Sequence, residues 1–160
     1  MLTSIQIDEL RSQAVRYIQA PILRMPYKWG GDDFSGMDCS GLVVETLKSV
    51  GLIGPDEDYT ANGLYLKFKD KGKIELTAER PYPYHGCLVF WFKANGKAYH
   101  VAMTINDFQV CESAGGGSET KTEEDAKRDN AYVRIRRIDN RGSHYKIVDP
   151  FRNWDGETVK

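Results

Sequence analysis

Cys39, His100 and Glu112 are the residues whose types and spacing could together do nucleophilic chemistry. A free thiol has a pKa of about 8.5 and is mostly idle at neutral pH. Unpaired N–H groups at a helix N-terminus favour a thiolate, and a nearby imidazolium favours it more. Cys39 opens the segment CSGLVVETLKSVG, with the polar residues Asp38 and Ser40 beside it and Gly41 allowing close approach of other backbone. A lone cysteine in such a place also reads as a buried structural residue. His100 changes that balance: it is one of three histidines, lies in AYHVAM, and has the small residues Ala98 and Ala102 near it. An imidazole there could accept the thiol proton and later protonate a leaving amine. Glu112 follows 112 − 100 = 12 residues on, in QVCES. Across a hairpin a carboxylate could orient the imidazole, although a solvated glutamate on an edge strand would look the same.

These residues need a helix start and two neighbouring strands. Residues 4–20 carry an amphipathic helical pattern through Ile7, Leu10, Ala14, Tyr17 and Ile18, with Thr3 and Gln6 as a capping box. Pro21 and Pro26 break it. RMPYKWGGDDFSGMD is a Gly- and Asp-rich loop running into a helix with Leu42, Val43, Leu47 and Val50 as its apolar stripe and Gly51 as its stop. A further helix is expected at 60–70 with Thr60 as cap. GCLVFWF, AYHVAMTI and FQVCES read as strands joined by turns at Asn95-Gly96 and Asn106-Asp107. Residues 118–128 are charged and suit a solvated helix; AYVRIRRI (131–138) suits an alternating strand; the tail from 150 is expected to be irregular. Helices precede strands, so the fold class is α+β, with N-terminal helices packed on a central antiparallel sheet. The length of 160 residues suits one domain, 1–160.

Composition removes several function classes. Lys+Arg total 22 against Asp+Glu 23, a net charge of −1, which gives no support for a nucleic-acid partner. Three cysteines make neither a disulfide framework nor a zinc pattern, and His85 with Cys87 lacks two further ligands, so no metal or cofactor is expected. No apolar run is long enough to span a bilayer. The N-terminus lacks the signature of a secretory signal, so the chain is expected to be made in the cytoplasm and delivered by other means. Trp29, Trp91 and Phe92 could line a groove, although one of the adjacent pair 91–92 must point inward. Gly115-Gly116-Gly117 reads as a rim loop, and Asp32 and Asp33 as solvated loop residues.

The strings Tyr27-Lys28-Trp29-Gly30-Gly31, Gly36-Met37-Asp38-Cys39-Ser40-Gly41-Leu42-Val43, Leu88-Val89-Phe90-Trp91 and His100-Val101-Ala102 resemble the NlpC/P60 family of papain-like cell-wall peptidases over about residues 5–115. The resemblance implies a nucleophile at Cys39, a general base at His100 and a third polar residue at Glu112. It also implies substrate or oxyanion contacts around Tyr27, Trp29, Asp38 and Ser40, with the Cys39 N–H in the oxyanion hole. The implied substrate is a peptidoglycan stem peptide. His85-Gly86-Cys87-Leu88 departs from the family's usual PGDL, and glutamate is unusual as the third residue. The Cys–His–Glu set is shared with CHAP amidases, so an amidase or acyltransferase acting on another substrate stays open. The chain is also similar to stand-alone members of phage tails, for which a virion-borne enzyme or a non-catalytic wall-binding tail component is expected.

Overall fold

The computed structural model describes residues 1–19, 24–79 and 82–159. Helix α1, Ser4–Gln19, starts at the expected capping box: the Gln6 N–H donates to Thr3 Oγ1 at 3.2 Å and the Thr3 N–H to Gln6 Oε1 at 2.9 Å. Its expected last residue, 20, and Pro21 lie outside the described residues. Helix α2, Cys39–Ser49, has Asp38 as N-cap and turns off at Gly51, whose φ is +78°. Helix α3, Ala61–Gly72, is capped by Thr60, as the sequence predicts. Helix α4 is shorter than the charged stretch suggests, Glu123–Asp129. Its capping box at Thr122 sets the start, and Asn130 in the left-handed conformation sets the stop.

Two-residue strands β1 (Asp32–Asp33) and β2 (Gly36–Met37) pair as a small hairpin inside the Gly/Asp-rich loop. The main sheet contains β3 (Lys73–Ile74), β4 (Leu88–Phe92), β5 (Ala98–Thr104), β6 (Gln109–Ala114), β7 (Tyr132–Arg137) and β8 (Tyr145–Val148). Its order is β3-β8-β4-β5-β6-β7, and every pairing is antiparallel. The meander β4-β5-β6-β7 follows the sequence expectation. β8 does not: it returns from beyond β7 to lie against β4 on the opposite side of the sheet.

Both faces of the sheet are buried, which is why LVFW reads as an unbroken apolar run. Leu88, Phe90, Val101, Met103 and Cys111 face the helices, packing with Ile18, Leu42, Leu47, Leu64 and Phe68. Val89, Trp91, Ala102, Val110 and Ile147 form a second cluster on the other face. Trp91 is therefore core, while Phe92 is half-buried at the strand end. On β7 the simple alternation fails. Val133 is buried but Ile135 is 36% exposed, because β7 is an edge strand with one neighbour. Among the described residues the tail after 149 has no helix or strand, yet Phe151, Trp154 and Val159 are buried in the helix-side core.

Candidate active site

The N-cap builds the nucleophile's platform. Asp38 Oδ1 accepts the Gly41 N–H at 2.8 Å and the Ser40 hydroxyl at 3.1 Å; Oδ2 accepts the Gly30 N–H at 2.9 Å. One carboxylate thus ends the loop, starts α2 and holds YKWGG against it. Gly41 is required there, because a Cβ would run into the Gly31 carbonyl oxygen. The polar atoms of Asp38 and Ser40 are therefore engaged in the cap, although both residues line the cleft above Cys39.

The sheet supplies the rest. The β5–β6 ladder pairs Met103 with Cys111 and Thr104 with Val110 and is not continued toward His100. There the backbone N–H groups of Val101 and Ser40 face the Cys39 thiol and favour its charged form. His100 lies opposite Trp91 in the β4–β5 register, and the two rings are 5.4 Å apart. The Asn62 side chain of α3 accepts the Ala98 N–H at 3.0 Å and ties down the start of β5. Glu112, fully buried, places Oε2 2.6 Å from His100 Nε2, as the 12-residue spacing suggests.

Cys39, His100, Tyr27, Trp29, Ser40 and Arg141 line one cleft of about 650 Å³. Cys39 and His100 are both nearly buried, while Trp29 is 53% exposed at the rim. A Cβ on Gly116 would collide with the Tyr27 ring, so the glycine run after β6 packs against the tyrosine. Asp32 and Asp33 are exposed, and Asp33 accepts the Ser35 N–H. A larger cavity, about 920 Å³, lies between the start of α1 and the C-terminal segment; it contains no cysteine or histidine side chain among its lining residues.

Electrostatics define the resting state. Burial pushes the Cys39 thiol up to about 11, Asp38 adds to the rise, and the two N–H donors only partly oppose it. Desolvation therefore outweighs the helix N-terminus, and Cys39 rests as a thiol. Burial also lowers the His100 pKa, against an upward pull from Glu112. For Glu112 burial is the largest influence and raises the pKa, but His100 and Arg141 together bring it below its ordinary value. Burial, with Cys39 and Asp38 adding, raises the Tyr27 phenol, which stays a hydrogen-bond donor. These shifts all favour the thiol, the neutral imidazole and the carboxylate, the combination in which the imidazole can accept the thiol proton.

Sequence reasoning missed Arg141. It sits in the turn between β7 and β8, with Nη1 2.6 Å from Glu112 Oε2 and its guanidinium 5.3 Å from the centre of the Trp91 ring. A carboxylate in an apolar strand signals the need for a cation. Four arginines, 134, 136, 137 and 141, follow within reach in sequence, and nothing in the sequence selects among them.

The NlpC/P60 family model matches residues 24–139, beginning after α1 and extending through β7, beyond the stretch whose motifs carry the resemblance. No curated protein matches the chain. Among solved structures, an NlpC/P60 family protein from Bacillus cereus is 22% identical over 89% of this chain, with a TM-score of 0.60; this chain spans 39% of that protein. The NlpC/P60 domain of the peptidoglycan hydrolase SagA is 21% identical over 88% of this chain and 97% of its own, with a TM-score of 0.54. The peptidoglycan hydrolase RipB of Mycobacterium tuberculosis is 19% identical over 92% of this chain and 67% of its own, with a TM-score of 0.63. At these identities the likeness is one of fold.

Proposed function

The chain belongs to the NlpC/P60 family, and from that premise we propose that it is a cysteine peptidase that hydrolyses an amide bond of peptidoglycan stem peptides through a Cys39 thioester. The observation that carries the reading is the 2.6 Å contact of buried Glu112 with His100, which lines the same cleft as Cys39. With the Nε2 proton donated to the carboxylate, Nδ1 is the ring nitrogen able to take the thiol proton. Sγ then attacks the carbonyl carbon, and the oxyanion is met by the Cys39 N–H at the start of α2 and by the protonated Tyr27 hydroxyl. The imidazolium gives its proton to the departing amine. A water molecule, deprotonated by His100, cleaves the thioester and regenerates the thiol. Trp29 at the rim offers the substrate an apolar wall.

The substrate class is supported by the family and by the two neighbours described as peptidoglycan hydrolases. The test is Cys39→Ala. It is expected to keep the native circular dichroism and unfolding profile and to lose all release of fragments from purified muropeptides, read by mass spectrometry. Cleavage at the native rate by this variant would refute the reading.

A further inference from the structure

The geometry points to Arg141 as a positioning residue that fixes Glu112 as a carboxylate and keeps His100 available as the base. This inference rests on the proposed use of His100 in Cys39 chemistry. Glu112 Oε2 meets His100 Nε2 and Arg141 Nη1 at 2.6 Å each, and no part of the Glu112 side chain is exposed. A carboxylate buried that completely, facing only a neutral imidazole, would bind a proton itself or draw one onto the ring. A guanidinium carries permanent charge. Placed on the same oxygen, it holds the carboxylate ionised without any proton on the imidazole.

Arg141 is built into this place. Its Nη1 also donates to Asn140 Oδ1 at 2.8 Å, and its guanidinium lies over Trp91, the residue facing His100 across the β4–β5 ladder. Its side chain is 20% exposed at the cleft, so the contact with Glu112 is not forced by deep burial of the arginine.

The other charges around His100 do not substitute for it. Cys39 and Asp38 approach from the start of α2, Lys93 from the β4–β5 turn and Tyr99 from β5. On β7, Arg136 Nε is 3.8 Å from the other carboxylate oxygen, Oε1, and its side chain is 40% exposed, while Arg134 is committed to the carbonyls of Ala114 and Asn130. Arg141 alone combines a hydrogen bond to Glu112 with a place in the cleft, among the described residues.

Removing Arg141 takes a cation away from the His100–Glu112 pair, and the pair then holds a proton to higher pH. Iodoacetamide labelling of Cys39 reads this without any substrate, because the thiol reacts only when the imidazole can take its proton. Arg141→Gln is expected to move the acid limb of the labelling profile up by about one pH unit, and Arg141→Lys by less. With muropeptides, the glutamine variant should lose kcat at mildly acidic pH with KM nearly unchanged. The double variant Arg141→Gln, Glu112→Gln has no unpaired buried charge and keeps the test open if the single variant unfolds. Relative to Glu112→Gln alone, its limb should move up by clearly less than Arg141→Gln moves the native limb, because only the direct repulsion between the Arg141 charge and an imidazolium is then lost. An acid limb unmoved in Arg141→Gln, or an equal upward shift in the Glu112→Gln background, overturns the inference. A shifted limb in a protein that cleaves no muropeptide supports it while removing the proposed substrate.

Discussion

Two arginine–carboxylate pairs, each with a buried carboxylate, stand in different parts of this molecule. Arg11 of α1 meets Asp149 after β8, Nη2 to Oδ2 at 2.6 Å, and Arg141 meets Glu112 at the same distance. Each guanidinium also faces aromatic rings: Phe151 at 4.8 Å and Tyr84 at 5.2 Å for Arg11, and Trp91 for Arg141. What differs is how the carboxylate is used. Asp149 gives Oδ2 to Arg11 and Oδ1 to the Phe151 N–H at 3.0 Å, so both oxygens have fixed, non-titrating partners. Glu112 gives one oxygen to both an arginine and a histidine, and its Oε1 has no hydrogen-bond partner among the described residues. The first arrangement closes a seam between α1 and the C-terminal segment. The second leaves a charge distribution that depends on a proton. A buried ion pair marks chemistry only when one of its partners can titrate at working pH.

The comparison breaks if both pairs respond alike to loss of charge. The largest effect is expected at the structural pair. Asp149→Ala strands a guanidinium that is only slightly exposed, and should cost about 3–5 kcal/mol of stability in urea unfolding. The pH profile of Cys39 labelling should be unmoved in that variant; a shifted profile would show the two regions to be coupled. Glu112→Gln should do the reverse. Arg141 can turn its charge toward the cleft, so the stability loss is expected to stay below about 2 kcal/mol. Muropeptide turnover should nevertheless fall by about 10²-fold, because an amide orients the imidazole but does not stabilise its charged form. A variant that loses stability as Asp149→Ala does, with turnover intact, would make Glu112 a structural residue.

Local signals made much of this legible in the sequence. The start of α2 could be read because a Gly- and Asp-rich loop gives way to an apolar stripe at helical spacing that Gly51 ends, and that reading places Cys39 at once. The His100–Glu112 contact could be read because two strands with a short turn bring residues 12 apart close together. The parts that could not be read depend on contacts distant in sequence. β8 is four residues long, and its place between β3 and β4 follows from the way the chain crosses the sheet after β7. Arg141 owes its position to that same crossing, 29 residues beyond Glu112. The thiol's upward shift was also hidden. The helix N-terminus is visible in the sequence, but the burial that outweighs it comes from β5 packing over α2.

The smallest expected effect is a pH dependence of stability, and it sharpens the contrast without any substrate. The pKa of His100 is lowered in the folded protein, chiefly by burial, whereas in the unfolded chain an imidazole titrates near about 6.5. Between those two values the unfolded state binds more protons than the folded one, so stability rises with pH across the window and levels off above it. Glu112 is also lowered, with His100 and Arg141 overcoming the effect of burial. Its contribution is present above the unfolded carboxylate value of about 4.3 and is lost as pH falls through the folded value, a separate and more acidic window. Both contributions have the same sign, but only the upper one belongs to the histidine. Urea unfolding just below about pH 6.5 should therefore show a positive slope, no steeper than about 1.4 kcal/mol per pH unit for one proton. His100→Gln should flatten that upper window, while Asp149→Ala should lower the whole curve and keep its slope. A native protein with no slope there would mean that His100 is not held neutral, and the distinction between the two ion pairs would then rest on geometry alone.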